Sequence, residues 1–363
     1  MKGMREACDI IIPVWNQLDV TKDCVASIVK NTDLPFRLIV IDNGSDRETA
    51  EYLRARAGEK LPNVRLVRNE TNLGFVKAVN QGLEAADAAY VCVMNNDTLA
   101  TAGWLDEMLE VMKSDPRLGI VNPSSNTSGQ IPPEEMGIDE YAASLKKYAG
   151  RTQELNTCRG FCMLIRTEVI RRIGLLDERY SIGYFEETDF CKRAQRAGFM
   201  LGRAKAAYVY HEEGTSFKAL GDRQSIFREN ERIYFKRWGR LVRAAYLVDG
   251  IPQKDKIDEI ATAAARGGHQ MLVFIKRGAQ YPVKTDHFDI RKLEVDPVFF
   301  GAGSVAQLFK RRKKKPVEVV LTDNGVLGGF LKATKLLHGA DVIVRPEKEE
   351  VLRCLGEKSR QPK

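Results

Sequence analysis

Residues 8–14, Cys8-Asp9-Ile10-Ile11-Ile12-Pro13-Val14, form a short continuous apolar run closed by proline. Such a run suits a strand buried on both faces, as in a parallel sheet. Beyond it, Val20, Cys24, Val25, Ile28 and Val29 recur at helical spacing over 19–30, with Asp19 placed to cap. A second buried strand over 36–41 leads into Asp42-Asn43-Gly44-Ser45-Asp46, a polar turn in which Gly44 can supply a positive φ. The pattern continues as helix over 48–57, strand over 64–68, helix over 74–86 and strand over 90–94. Apolar strands alternating with helices make a βαβ series, so an open parallel sheet with helices on both faces is expected.

In that architecture ligands bind at the carboxyl ends of the strands. The candidates are therefore Pro13-Val14-Trp15-Asn16, Asp42-Asn43-Gly44, the stretch 69–74, and Asn95-Asn96-Asp97. Neither G-x-G-x-x-G nor G-x-x-x-x-G-K-[ST] follows a strand, so no glycine loop cradles a phosphate here. A phosphorylated nucleotide in this crevice needs another neutralising group, and a divalent cation held by carboxylate is the economical one.

Asp97 emerges from an apolar strand at the sheet edge, where a hard cation can bridge it to a diphosphate; alone, it also reads as a solvated cap. Glu186-Glu187-Thr188-Asp189 is a second acidic cluster, preceded by Tyr184-Phe185 and followed by Phe190, Cys191 and Ala194 at helical spacing. A helix dipole favours acids at its start, and carboxylates gathered in a cleft are the functional alternative. His211 follows the apolar-aromatic strand over 206–210 and is the only histidine before residue 250.

These pieces come in a recognisable order. The stretch 10–16, Ile41-Asp42-Asn43-Gly44-Ser45, Asn72-Leu73-Gly74-Phe75 with Asn80, Asn95-Asn96-Asp97-Thr98, the stretch 160–166, Leu176-Asp177-Glu178, the stretch 186–193 and His211 resemble the motifs of family 2 glycosyltransferases. The likeness covers roughly residues 7–240 and points to the rhamnosyltransferase-like branch. It implies a GT-A fold and inverting transfer from a nucleoside-diphosphate sugar to a hydroxyl of a glycan or lipid-linked acceptor, with Mn2+ or Mg2+. By position, Pro13, Trp15 and Asp42 line the nucleoside pocket, Asp42 accepting a hydrogen bond from the base. Asn43, Asn72, Gly74, Asn95, Asn96 and Glu186 complete the substrate-binding set. Asp97 is the last acid of the D-x-D-type metal motif and His211 completes the metal site, while Asn95 stands where many members have an acid. Glu187 takes the second position of the Glu-Asp pair, the place of the catalytic base.

The chemistry is coherent: a base accepts the proton of the attacking hydroxyl, and positive charge neutralises the leaving diphosphate. A glycoside hydrolase would place two carboxylates about a bond without a nucleotide crevice. A nucleotidyltransferase would carry a glycine-rich basic loop after the first strand, unlike Pro13-Val14-Trp15-Asn16. A non-catalytic nucleotide-sugar-binding or scaffold protein remains the alternative suggested by Asn95. Residues 125–157, with Pro132-Pro133 and a helix expected over 139–148, read as an acceptor-facing segment or a surface connection.

At 363 residues, two domains are expected. The division reads as a GT-A catalytic domain over 1–245 and a smaller, degenerate Rossmann-like α/β domain over 246–363, with 241–252 as connector. The seven scattered cysteines read as reduced core thiols. No apolar run reaches membrane-spanning length and the first residues are charged, so a cytoplasmic protein is expected. Residues 1–250 balance their charges, whereas 251–363 hold 22 Lys and Arg against 14 Asp and Glu, the whole of the +8. Six consecutive cations, Lys310 to Lys315, form either a solvated loop or a contact for anionic lipid at the inner membrane face. Nucleic acid is not an expected partner, since no recognition motif or interleaved aromatics surround the run.

Overall fold

The computed structural model describes residues 8–58, 63–180, 183–212, 223–249, 253–311 and 316–361. The chain divides into two compact units, residues 1–153 with 157–234, and residues 154–156 with 235–363.

In the first unit the strands are β1 (Cys8–Val14), β2 (Phe36–Asn43), β3 (Asn63–Asn69), β4 (Tyr90–Met94), β5 (Thr98–Ala100), β6 (Leu118–Ser124), β7 (Thr152–Leu155), β8 (Cys162–Arg166) and β9 (Met200–His211). Its helices are α1 (Leu18–Asn31), α2 (Arg47–Ala57), α3 (Phe75–Ala85), α4 (Trp104–Ser114), α5 (Ile138–Ser144), α6 (Thr167–Ile173), α7 (Glu186–Arg196) and α8 (Arg223–Trp238). The sheet runs β3-β2-β1-β4-β8-β6-β9-β5, with β7 beside β9. The β3-β2-β1-β4 half is parallel, as expected, whereas β8 runs antiparallel to both β4 and β6.

Every residue of β1 is buried, including Asp9. That buried charge is paired: Arg37 Nε and Nη2 each donate to it at 2.8 Å, and the amides of Asp87 and Ala88 donate at 2.9 and 3.0 Å. A Cβ on Gly82 of α3 would lie 2.3 Å from Ile11 Cγ2, so glycine lets that helix lie directly on β1. The cap expected at Asp19 is not used: Gln17 is the residue before α1, in the left-handed region, and Asp19 lies inside the first turn. Asp46 caps α2, accepting from Thr49 N at 2.9 Å.

The second unit carries β10 (Arg243–Leu247), β11 (Gln270–Lys276), β12 (Ile290–Val295), β13 (Val319–Thr322) and β14 (Asp341–Val344), all parallel in the order β12-β11-β10-β13-β14. This 3-2-1-4-5 order is that of a Rossmann-type sheet without its sixth strand, more than the half expected. The connector expected over 241–252 instead holds β10, the central strand, whose Ala244-Ala245-Tyr246-Leu247 is fully buried. Alanines carry a weak strand signal, which hid it. Helices α9 (Lys254–Arg266) and α13 (Lys348–Arg360) pack on one face of this sheet; α10 (Phe300–Arg311), α11 (Gly325–Ala333) and α12 (Lys335–His338) pack on the other. Among the described residues no helix is long and apolar enough to cross a membrane. All seven cysteines are free.

Candidate active site

The carboxyl edge of the first sheet gathers most of the expected residues. Asp42, next to last in β2, is buried. It accepts from Ser45 N at 2.9 Å and from Arg68 Nη1, whose Nη2 also reaches Ser45 O. Arg68 is one the sequence reading missed, although β2 and β3 pair Asp42 directly with it. Asn43 donates to Asn72 Oδ1 at 2.8 Å and to Gly74 O at 3.3 Å, and accepts from Leu73 N at 3.0 Å. Asn43, Asn72 and Gly74 thus tie the loop before α3 to the end of β2. Gly44, at φ 75°, lies under that loop: a Cβ there would meet the backbone of Thr71 at 2.5 Å. The loop after β1, with Pro13 buried and Trp15 half-buried, is fixed by Asn16, whose amide donates to Ser45 Oγ and whose Oδ1 accepts from Asp46 N.

The second cluster is built by strand pairing. β5 and β9 run antiparallel with Thr98 opposite His211, which sets Asp97 beside the imidazole. Asp97 Oδ1 lies 3.1 Å from His211 Nε2, and Asn95 Nδ2 lies 3.5 Å from the same nitrogen. Asn126 holds the His211 backbone from both sides, at 2.9 and 2.8 Å, and Phe161 stacks on the imidazole with ring centroids 5.2 Å apart. Asn95 Oδ1 is buried and meets no donor. Asn96 turns away from this group: its amide donates to Thr21 Oγ1 at 2.9 Å, so it anchors α1.

The third cluster opens α7. Tyr184 and Phe185 stand in the left-handed region, at φ 71° and 72°, a strained conformation for bulky side chains. The strain turns the chain so that Glu186 and Glu187 start the helix side by side. Their side chains hydrogen-bond one another, and the Oε2 atom of each is buried without a partner. Burial and the neighbouring Glu187 hold the Glu186 carboxyl well above the usual glutamate range. Burial also raises Glu187, opposed by the amides of Glu187 and Thr188, by Arg159 and by the bond from Glu186. Of the two carboxyls, Glu186 is the more strongly raised. Asp189 is not available for chemistry: it is buried, bonded to Arg193 at 2.8 Å and to the Tyr180 hydroxyl at 3.4 Å.

One loop joins the last two clusters. A Cβ on Gly160 would lie 3.7 Å from Glu187 Cβ, and the next residue, Phe161, stacks on His211. Asn122 pins the loop, accepting from Arg159 N at 2.6 Å and donating to Arg159 O at 3.0 Å. A shallow cavity of about 250 Å³ is lined by Tyr184, at the turn before α7, and by Gln224, Phe227 and Arg228 of α8.

Among the described residues no three His, Cys, Asp or Glu side chains converge as a preformed metal cage. The set Asp97 carboxylate, His211 Nε2 and the partnerless Asn95 Oδ1 nonetheless fits a hard cation that takes its remaining oxygens from a diphosphate.

Residues 9–174 match the sequence model of glycosyl transferase family 2. Residues 9–174 form a family 2 glycosyltransferase domain. The first unit's parallel half, continued through antiparallel β8 into a mixed half in which β6 and β9 run parallel, is the GT-A arrangement. The chain is 26% identical over 224 residues to the N-acetylglucosaminyl-diphospho-decaprenol L-rhamnosyltransferase of Mycobacterium tuberculosis, across 53% of this chain and 71% of that protein. It is 25% identical over 177 residues to the poly-β-1,6-N-acetyl-D-glucosamine synthase of Staphylococcus epidermidis, across 47% of this chain and 42% of that protein. A mannosyltransferase from Pyrobaculum calidifontis, solved with GDP-Man and Mn2+, superposes with a TM-score of 0.46 at 17% identity, covering 59% of each chain.

Proposed function

We propose that the transferase domain moves a sugar, with inversion, from a nucleoside-diphosphate sugar to a hydroxyl of a glycan or lipid-linked acceptor. The observation that carries this reading is the buried Glu186–Glu187 pair, joined by the Gly160-Phe161 loop to the Asp97–His211 pair. Glu187 takes the proton of the attacking hydroxyl. Glu186, the more strongly raised of the two, keeps its hydrogen bond to Glu187 and holds that carboxylate in place. Asp97, His211 and Asn95 would hold Mn2+ or Mg2+, which would supply positive charge to the departing diphosphate. Pro13, Trp15 and Asp42 receive the nucleoside, with Arg68 fixing Asp42. The aromatic cavity at Tyr184 and Phe227 receives the acceptor next to the base.

The two relatives named above are called a decaprenol-linked rhamnosyltransferase and a polysaccharide synthase, which supports a lipid-linked or polysaccharide acceptor in cell-surface polysaccharide synthesis. A lipid-linked acceptor places the enzyme at the inner membrane face of the cytoplasm. The basic run from Lys310 to Lys315 can hold it there, since each cation near an anionic leaflet contributes about 1 kcal/mol. Lys310 is exposed; Arg312 to Lys315 lie outside the described residues. Thermal unfolding with UDP-, dTDP- and GDP-sugars, with and without Mn2+, tests the donor, because a ligand of the native state raises the melting temperature. Product analysis with the stabilising donor then reads the anomeric configuration. No stabilisation by any donor, or a retained configuration, overturns the proposal.

A further inference from the structure

The second unit presents an apolar outer layer that its own core does not use. Among the described residues seven large apolar side chains are more than half exposed, and six belong here: Val298 at 83%, Phe299 at 66%, Val326 at 86%, Phe330 at 53%, Leu336 at 94% and Leu337 at 55%. They stand on α11, on α12 and on the turn entering α10. These elements form one layer: Phe300 and Leu308 of α10, Leu331 of α11 and Ala340 after α12 share a single buried cluster. A Cβ on Gly301 would lie 3.8 Å from Leu327, so the starts of α10 and α11 adjoin. α11, Gly-Val-Leu-Gly-Gly-Phe-Leu-Lys-Ala, is apolar on both sides, with Gly328 and Leu331 turned to the core and Val326 and Phe330 turned out. Scattered exposed apolar residues need no explanation, but six on one layer mark a surface that something covers.

The charge of the same stretch of sequence bears on what covers it. Residues 296–340 carry eight Lys and Arg against three acids; six of the eight are the run 310–315, of which 312–315 lie outside the described residues, and Lys335 pairs with Asp341 just beyond. Each acid is engaged: Asp296 accepts from Val298 N at 3.0 Å, Glu318 pairs with Arg240 at 2.6 Å, and Asp323 accepts from the Tyr246 hydroxyl at 2.8 Å. Exposed Lys332 ends α11 and exposed Lys310 lies near the end of α10. An apolar layer that carries exposed Lys310 and Lys332, and from whose α10 the basic run of the sequence leads on, fits the boundary between head groups and acyl chains of an anionic bilayer. A second copy fits less well, because a two-fold contact would set these cations against themselves.

We infer that the α10–α12 face of the second unit binds anionic membrane, with Phe299, Val326, Phe330 and Leu336 entering the acyl boundary. This extends the electrostatic contact proposed for the basic run, and its apolar part is separable from that reading. The test is co-sedimentation of the whole chain with mixed phosphatidylglycerol–phosphatidylcholine vesicles and with pure phosphatidylcholine, at low and high salt. Changing Phe299, Val326, Phe330 and Leu336 together to Ser should lower partition to the anionic vesicles by roughly tenfold or more, with no loss in thermal unfolding temperature. In a separate variant, Leu336→Trp, brominated acyl chains should quench the added fluorescence, an outcome that misfolding would not mimic. Wild-type partition by the four-site variant, or an unquenched indole, overturns the inference. So does a dimer by light scattering that the four-site variant dissolves while vesicle binding persists, since a second copy would then be the cover. Changing the cations 310–315 to Gln separates the two readings: loss there with full binding by the four-site variant keeps the electrostatic contact and removes this one.

Discussion

His211 Nε2 lies 3.1 Å from Asp97 Oδ1, and the pairing of Thr98 with His211 makes that distance a property of two strands. A ligand pair built on strands is set before any cation arrives, so little ordering opposes binding. Asp97→Ala should remove the Mn2+-dependent part of nucleoside-diphosphate binding, whereas Asp42→Ala should weaken binding equally with and without the metal. Calorimetry with the free nucleoside diphosphate distinguishes them, and identical losses under both conditions would contradict the assigned roles.

Asn95 places a neutral oxygen where a carboxylate would fit, and that oxygen is buried without a donor. Asn95→Asp should therefore tighten Mn2+ roughly tenfold, because hard cations bind in proportion to ligand charge. The readout is the metal concentration that half-saturates donor binding. An unchanged or weaker value would place the cation elsewhere.

Glu187→Gln should leave donor binding intact and slow transfer by about 10²-fold or more, the usual contribution of a positioned base. Asp189 cannot substitute, being held by Arg193 and Tyr180. Near-normal turnover would move the base to Glu186.

The glutamate pair also ties activity and stability to pH in opposite directions. Transfer requires ionised Glu187, whose carboxyl is raised by burial, so kcat/KM should climb with pH through a value above the ordinary glutamate range. Stability runs the other way. A carboxyl raised in the folded state stabilises below its unfolded pKa, about 4.3 for glutamate, and that contribution is lost as pH rises through the folded value. Burial and Glu187 raise Glu186 most, so Glu186→Gln should melt above wild type at neutral pH, with the gap closing in acid. A constant difference across pH would show that the substitution acts through packing.

The parallel half of the transferase domain was legible because β1, β2 and β4 are continuous apolar runs, and the strand-end rule led from them to Asp42 and Asp97. β5 and β8 were not recognised as strands, because each is short and is completed by a partner far along the chain, His211 for Thr98 and Val91 for Ile165. β10 was hidden by its alanines. The contact of Asn96 with Thr21 was not legible, because the residue pattern at a strand end does not say which way each side chain turns. Positive φ at Tyr184 and Phe185 has no sequence signal either, since neither is glycine or asparagine.

Something must hold that strained pair, and Asn230 of α8 is the side chain that does so. It is buried, and its Nδ2 donates to the carbonyls of Tyr180 at 2.9 Å, Gly183 at 2.7 Å and Tyr184 at 3.2 Å. An amide has two hydrogens, so one of them is shared. Phe185 packs on Phe227 and Tyr234 of the same helix, which fixes the ring while Asn230 fixes the backbone. Asn230→Ala leaves these buried carbonyls without their donor and should cost about 1–3 kcal/mol of stability. With the turn relaxed, Glu186 and Glu187 lose their common orientation, so kcat should fall while donor affinity, set by Asp42 and Asp97, stays near wild type. Stopped-flow or steady-state transfer alongside calorimetry reads both quantities. A variant that loses stability but keeps kcat would show that the turn supports the fold alone.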